Sequence, residues 1–185
     1  MTYGEDIKYQ VVLFQSKYIN SDLINSFDCG NKDINDYLKK VDKVFNDGMG
    51  VTKLIINEDE TKLIGFYTLA SSSMLQTIDK YNRALPAIEI KMFAMDLKYQ
   101  DILCYKDMEY EKYTFISALF SDIIDDIVDL SNDIIGIKYI ILQSVPKAIK
   151  FYRRSSFYPI HEVNEYLELP YDRFSTGCKE MCYVI

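Results

Sequence analysis

Apolar and polar positions along the chain sort into two periods, and the switches between them mark the elements. Ile7 to Phe14 reads as a first strand. Ile34, Tyr37, Leu38, Val41, Val44 and Phe45 then recur at helical spacing, with Asn31 or Asp33 placed to cap the start and Asn46-Asp47-Gly48 to stop it. Val51 to Ile56 and Lys62 to Ser72 flank a polar turn, Asn57 to Thr61, and predict a hairpin. A polar stretch from Asp79 to Arg83 leads through Pro86 into another strand, Ala87 to Asp96, and Gln100 to Tyr113 is charged, Tyr-rich and irregular.

The second half has the clearer signals. Ile116, Leu119, Phe120, Ile123, Ile124, Ile127 and Leu130 form one face of an amphipathic helix that begins at Thr114. Gly136 ends that region, and Ile137 to Gln143 is an apolar run of the kind a buried strand carries. Pro146 suits the first turn of a helix over Lys147 to Arg154, because its missing N–H has no partner there in any case. Short strands near Phe157 and over Glu180 to Ile185 close the chain. Strands first, then strand–helix–strand, predict an α/β (α+β) fold with a mixed sheet of about six to seven strands. Its N-terminal part is antiparallel, one strand–helix–strand crossover is parallel, and helices lie on both faces. At 185 residues, without a Pro/Gly-rich linker or internal repeat, the expectation is a single domain over 1–185.

Composition narrows the setting. The 21 basic and 28 acidic residues leave a net charge of −7, which argues against a nucleic-acid partner. No run approaches the roughly 18 apolar residues of a membrane span, and MTYGEDIKYQ lacks the basic and apolar regions of an export signal. Four scattered cysteines then read as free thiols in a reducing cytoplasm. Cys178 and Cys182 have poor spacing for zinc and no companions, so no metal site is expected. His161 has no evident partner, Ser71 to Ser73 read as small residues at a strand end, and Arg153 and Arg154 read as a solvated helix face.

Four segments in order resemble the GNAT (Gcn5-related N-acetyltransferase) superfamily. FDCGNKDINDYL at 27–38 is similar to the opening of bacterial acetyltransferases, including those of toxin–antitoxin pairs. LIGFYTLASSS at 63–73 resembles their third strand, and IEIKMFAMDLKYQ at 88–100 the strand that leads into the CoA loop. VPKAIKFYRRSSF at 145–157 resembles the A-x-x-[FL]-Y-x-x-x-G-F signature near the C-terminus.

The resemblance implies acetyl-CoA as co-substrate and direct transfer to an amine. Phe93, Ala94 and Met95 match the strand edge that pairs with the pantetheine arm. Gln100, Asp101, Ile102, Leu103, Cys104 and Tyr105 match the pyrophosphate loop, with Ser117 in the helix that follows it. Ala148 and Phe151 match packing beside the cofactor, and Tyr152 the acid that protonates the departing thiolate. A phenol is protonated at neutral pH and is competent for that step.

Glu89 matches a position where some members carry a general base. It shares a face with Lys91 and Phe93, opposite Ile88, Ile90 and Met92. The loop departs from the family pattern, because Leu103 and Tyr105 stand where glycines are usual, and Asp107, Glu109 and Glu111 follow. Glycines there permit close backbone approach to phosphate. Two readings stay open: an N-acetyltransferase, or a catalytically inactive GNAT-like binding module that the glycine-free loop favours. The acceptor is an amine-bearing small molecule or protein. Aminoacyl-tRNA is the exception that the toxin-like motifs imply, and the Tyr-rich stretch 99–113 is a candidate homodimer surface.

Overall fold

In a computed structural model, the structure describes residues 3–19, 21–41, 50–104, 113–170 and 177–185. The predicted helix end at Val44 to Gly48, and Tyr105, Asp107, Glu109 and Glu111, lie outside the described residues. The elements in order are β1 (Tyr9–Leu13), α1 (Asp22–Asn25), α2 (Lys32–Lys39), β2 (Val51–Asn57), β3 (Leu63–Ile78) and β4 (Tyr81–Met95). There follow α3 (Leu97–Gln100), α4 (Phe115–Asp133), β5 (Tyr139–Ser144), α5 (Ile149–Arg154), β6 (Tyr158–Pro159), α6 (Ile160–Val163), β7 (Leu167–Glu168) and β8 (Lys179–Val184). No described helix is long and apolar enough to cross a membrane.

The strands form one eight-stranded sheet in the order β1-β2-β3-β4-β5-β8-β6, with β7 paired to β3. β1–β2, β2–β3, β5–β8 and β6–β8 are antiparallel, and β4–β5 is parallel. This is the mixed sheet that the strand–helix–strand pattern predicts, with α4 as the crossover. The count exceeds the expected six to seven because β6 and β7 are two-residue strands, too short for any periodicity. β3 and β4 also run further than expected and meet at Asp79 and Lys80, where Asp79 takes a positive φ of 54°. Asp tolerates that conformation through its short polar side chain. Residues 81–84 are all exposed, so they carry no inward-facing apolar set to signal a strand.

Two compact units are resolved by their internal packing: Met1–Leu69 with Lys91–Leu119, and Ala70–Ile90 with Phe120–Ile185. The first is built on Phe14, Tyr18, Phe27, Leu38, Leu54 and Phe66, with Phe27 edge-on to Phe66 at 5.5 Å between ring centroids. Asn31 caps α2 as expected, its side chain accepting from the N–H groups of Asp33 and Ile34. Gly65 is required here by space, since a Cβ would sit 2.7 Å from the Ala94 carbonyl oxygen. Glycine at this point lets β3 lie close against the end of β4. The core of the second unit joins Met74, Leu85, Tyr139, Ile141, Ile160 and Cys182.

Candidate active site

The strand pairing of β4 sets the stage. Its register with β5 runs from Ala87 opposite Tyr139 to Ile90 opposite Leu142 and ends there, although β5 continues to Ser144 against β8. Phe93, Ala94 and Met95 lie beyond the last pair. Ala94 and Met95 are buried. Glu89 lies within the paired stretch, opposite Ile141, and is only 8% exposed. Its carboxylate makes no hydrogen bond or ion pair with a described residue.

Tyr152 sits on α5 within an aromatic cluster. Its ring is 5.3 Å from Phe120, 5.1 Å from Phe151 and 6.2 Å from Phe157. Phe157 in turn packs on Tyr183 at 5.6 Å. The Tyr152 hydroxyl has no hydrogen-bond partner among the described residues, and desolvation lifts its pKa well above the ordinary phenol range. The proton therefore stays on the oxygen at any physiological pH. Ala148 begins α5, its N–H bonded to the Val145 carbonyl.

The strand end that leads out of β4 is held by a polar network in the first unit. Asp96, 4% exposed, caps α3 by accepting from the Lys98 N–H at 3.0 Å, and its other oxygen accepts from the Asp28 N–H at 3.2 Å. The Asp28 carboxylate accepts from the Gly30 N–H and the Asn35 amide, both at 2.8 Å. The Gly30 contact, then that of Asn35, holds its pKa below the usual value against desolvation, with Lys98 adding a smaller pull. Asn35 also accepts from the Cys29 N–H at 3.1 Å. Gln100, a predicted cofactor residue, donates its amide to the carbonyls of Met95 at 2.7 Å and Cys29 at 3.2 Å. The FDCG motif thus works as a brace for the end of β4, a role its sequence did not disclose.

The described part of the predicted pyrophosphate loop, residues 100–104, is tied to the start of α4. Leu103 bridges Thr114, the Cys104 N–H donates to the Tyr113 carbonyl at 2.8 Å, and the Phe115 N–H donates to Ile102 at 2.8 Å. The carbonyls of Leu103 and Cys104 accept from the N–H groups of Gly4 and Glu5. Asp101 is exposed, and Tyr105 lies outside the described residues. Ser117 stands in the first turn of α4, its hydroxyl 3.0 Å from that of Thr114. Arg153 forms a two-pronged ion pair with Glu162 at 2.7 and 2.8 Å, which accounts for it on the surface.

Sequence reasoning passed over Gln143. Its Nε2 is buried and has no hydrogen-bond partner among the described residues. The only signal was a polar residue closing an apolar run.

No family model matches the sequence, and no curated protein matches it. Solved structures do match in fold. A bacterial toxin superposes with a TM-score of 0.69 at 20% identity, over 96% of this chain and 91% of that one. A Tyr→Phe mutant of the toxin AtaT, bound to the C-terminus of the antitoxin AtaR and acetyl-CoA, gives 0.65 at 15% identity, over 96% and 93%. AtaT complexed with acetyl-methionyl-tRNAfMet gives 0.64 at 16% identity, over 94% of both chains. The chain has the GNAT fold that its four motifs resemble, in the form these toxins share.

Proposed function

We propose that this chain is a cytoplasmic acetyl-CoA-dependent N-acetyltransferase that acts on a primary amine by direct transfer in a ternary complex. The observation that carries the reading is the place of Glu89, a side chain only 8% exposed, one residue before β4 and β5 cease to pair. The amine must be neutral to attack, and Glu89 takes its proton, through a water where the two do not touch. The amine nitrogen then forms its bond to the thioester carbonyl carbon as the C–S bond breaks. Tyr152 gives its proton to the departing thiolate, for which the raised pKa keeps it charged with a proton. The nitrogen loses its remaining extra proton to water, so amine and thioester become amide and thiol, and Glu89 releases its proton to solvent while Tyr152 regains one.

A more specific reading is favoured by the likeness to AtaT complexed with acetyl-methionyl-tRNAfMet, namely that the amine belongs to an aminoacyl-tRNA. The same likeness to a toxin bound to its antitoxin makes a small antitoxin the expected protein partner. Against catalysis stands the loop at 100–105, which lacks glycines and commits the Cys104 N–H to Tyr113. Calorimetric titration with acetyl-CoA separates the cases. Micromolar binding, followed by thiol release in the presence of charged tRNA or small amines, supports the transferase. A folded protein that does not bind acetyl-CoA is a binding module with this fold, and the catalytic roles fall with it.

A further inference from the structure

We infer that Gln100 is a positioning residue: it fixes the side of β4 that faces away from β3 for the pantetheine arm of acetyl-CoA, and it is not a ligand of the pyrophosphate. The inference rests on the acetyl-CoA reading. The nitrogen of a side-chain amide carries two N–H donors. Those of Gln100 go to two carbonyls, of Met95 at 2.7 Å and of Cys29 at 3.2 Å. Both neighbours only accept, so the nitrogen must face them. What Gln100 has left is its oxygen, whereas an anion is held by donors. Its place at the start of the predicted phosphate loop therefore does not make it a phosphate ligand.

The carbonyl it takes stands at a particular point. The Asp96 N–H donates to the Ile64 carbonyl of β3 at 2.9 Å. The C=O and N–H of one trans peptide point in opposite directions, so the Met95 carbonyl is directed away from β3. The preceding peptide is set the same way, because its Ala94 oxygen lies against Gly65 of β3 and the Met95 N–H points outward. These groups come after Ile90, where the pairing of β4 with β5 ends. Gln100 takes the Met95 carbonyl and leaves the N–H, so an arm pairing along this side meets a donor there. The same amide reaches the Cys29 carbonyl, and the Leu97 N–H donates to the Asp28 carbonyl at 2.9 Å. Loss of Gln100 thus frees the Met95 carbonyl and loosens the turn that ends β4.

S-acetylpantetheine carries the thioester and the arm but no pyrophosphate, and so separates the two roles. In the full chain, Gln100→Met keeps the length of the side chain and removes both donors. Affinity for acetyl-CoA, by calorimetry, and for S-acetylpantetheine, by amide-shift titration, should fall by the same factor. That factor is about threefold to tenfold, the worth of one hydrogen bond. Gln100→Glu sets a carboxylate against two carbonyls and should weaken S-acetylpantetheine further. Weaker acetyl-CoA with unchanged S-acetylpantetheine makes Gln100 a phosphate ligand and overturns the inference. A lower unfolding midpoint with both affinities unchanged also overturns it, as the mark of a purely structural bond.

The tie itself can be read without ligand. Met95-Asp96 is the only Met–Asp pair in the sequence, so labels on Met carbonyl carbon and Asp nitrogen isolate one resonance by NMR. An accepted hydrogen bond draws electrons from the carbonyl carbon, so that resonance should move upfield in Gln100→Met, and an unmoved one overturns the inference. A parent protein that binds neither ligand ends the acetyl-CoA reading and this inference together. A parent that binds both, with variants that bind equally well, ends the inference alone.

Discussion

In the unit that carries α2 and the end of β4, the polar side chains answer one another. Asp28, Asn35, Asp96 and Gln100 each bond to backbone groups of a neighbouring segment, and Asn35 serves Asp28 and Cys29 together. In the unit that carries β5 and α5, the Gln143 Nε2 is buried with no such partner among the described residues, and Glu89 is only 8% exposed. Both arrangements place polar groups out of water. The first gains rigidity from them, because each lost bond leaves a buried group unsatisfied. The second lacks such bonds, so it has less of that rigidity to lose. Removing a side chain should therefore have opposite consequences in the two units.

The sharpest break of that contrast is Glu89→Gln. Turnover should fall by about 10²–10⁴-fold, the range of general acid–base catalysis, while the unfolding midpoint holds. A drop in stability instead would make Glu89 a structural residue. Tyr152→Phe should lower turnover over the same ~10²-fold scale and leave acetyl-CoA affinity within about twofold. Unchanged turnover removes the acid role and leaves an aromatic packing residue.

Asn35→Ala tests the other side. It strands the buried Cys29 N–H and should cost roughly 1–3 kcal/mol in denaturant unfolding, with kcat of the folded fraction little changed. Gly65→Ala is expected to cost about 1–3 kcal/mol by pushing the new methyl group against the Ala94 carbonyl, and to weaken acetyl-CoA binding if the β4 edge holds the cofactor.

The smallest effect is alkaline. Burial pushes the Cys182 thiol up from 9.0 to about 11, and Tyr152 is shifted in the same direction. A pKa raised in the folded state gives stability that is whole below the unfolded value and is lost as pH rises through the folded one. Unfolding midpoints should hold up to about pH 9 and decline from there to about pH 11. Cys182→Ala should flatten part of that decline, and an identical slope in the variant would assign it elsewhere.

The amphipathic face of α4, the apolar run of β5 and the β2–β3 hairpin were legible because each buries one repeated set of positions. The far ends of β3 and β4 were not, since exposed hairpin residues such as Asn82 and Arg83 have no inward side to pattern. At the site, Glu89 and Tyr152 came from motif resemblance, and their burial and lack of partners came only from the fold. Gln143 was hidden for a physical reason. Whether an amide is satisfied depends on residues brought beside it by β4 and β8, which no local window contains. The FDCG motif was visible as letters, but its bonds reach Asp96 and Leu97, far along the chain.

Residues 102–104 and 113–115 bond to each other, and the Leu103 and Cys104 carbonyls also take the N–H groups of Gly4 and Glu5. The opening residues of the chain are thereby stitched to the entrance of α4, so trimming them should loosen the first turn of that helix as well as the strand they lead into.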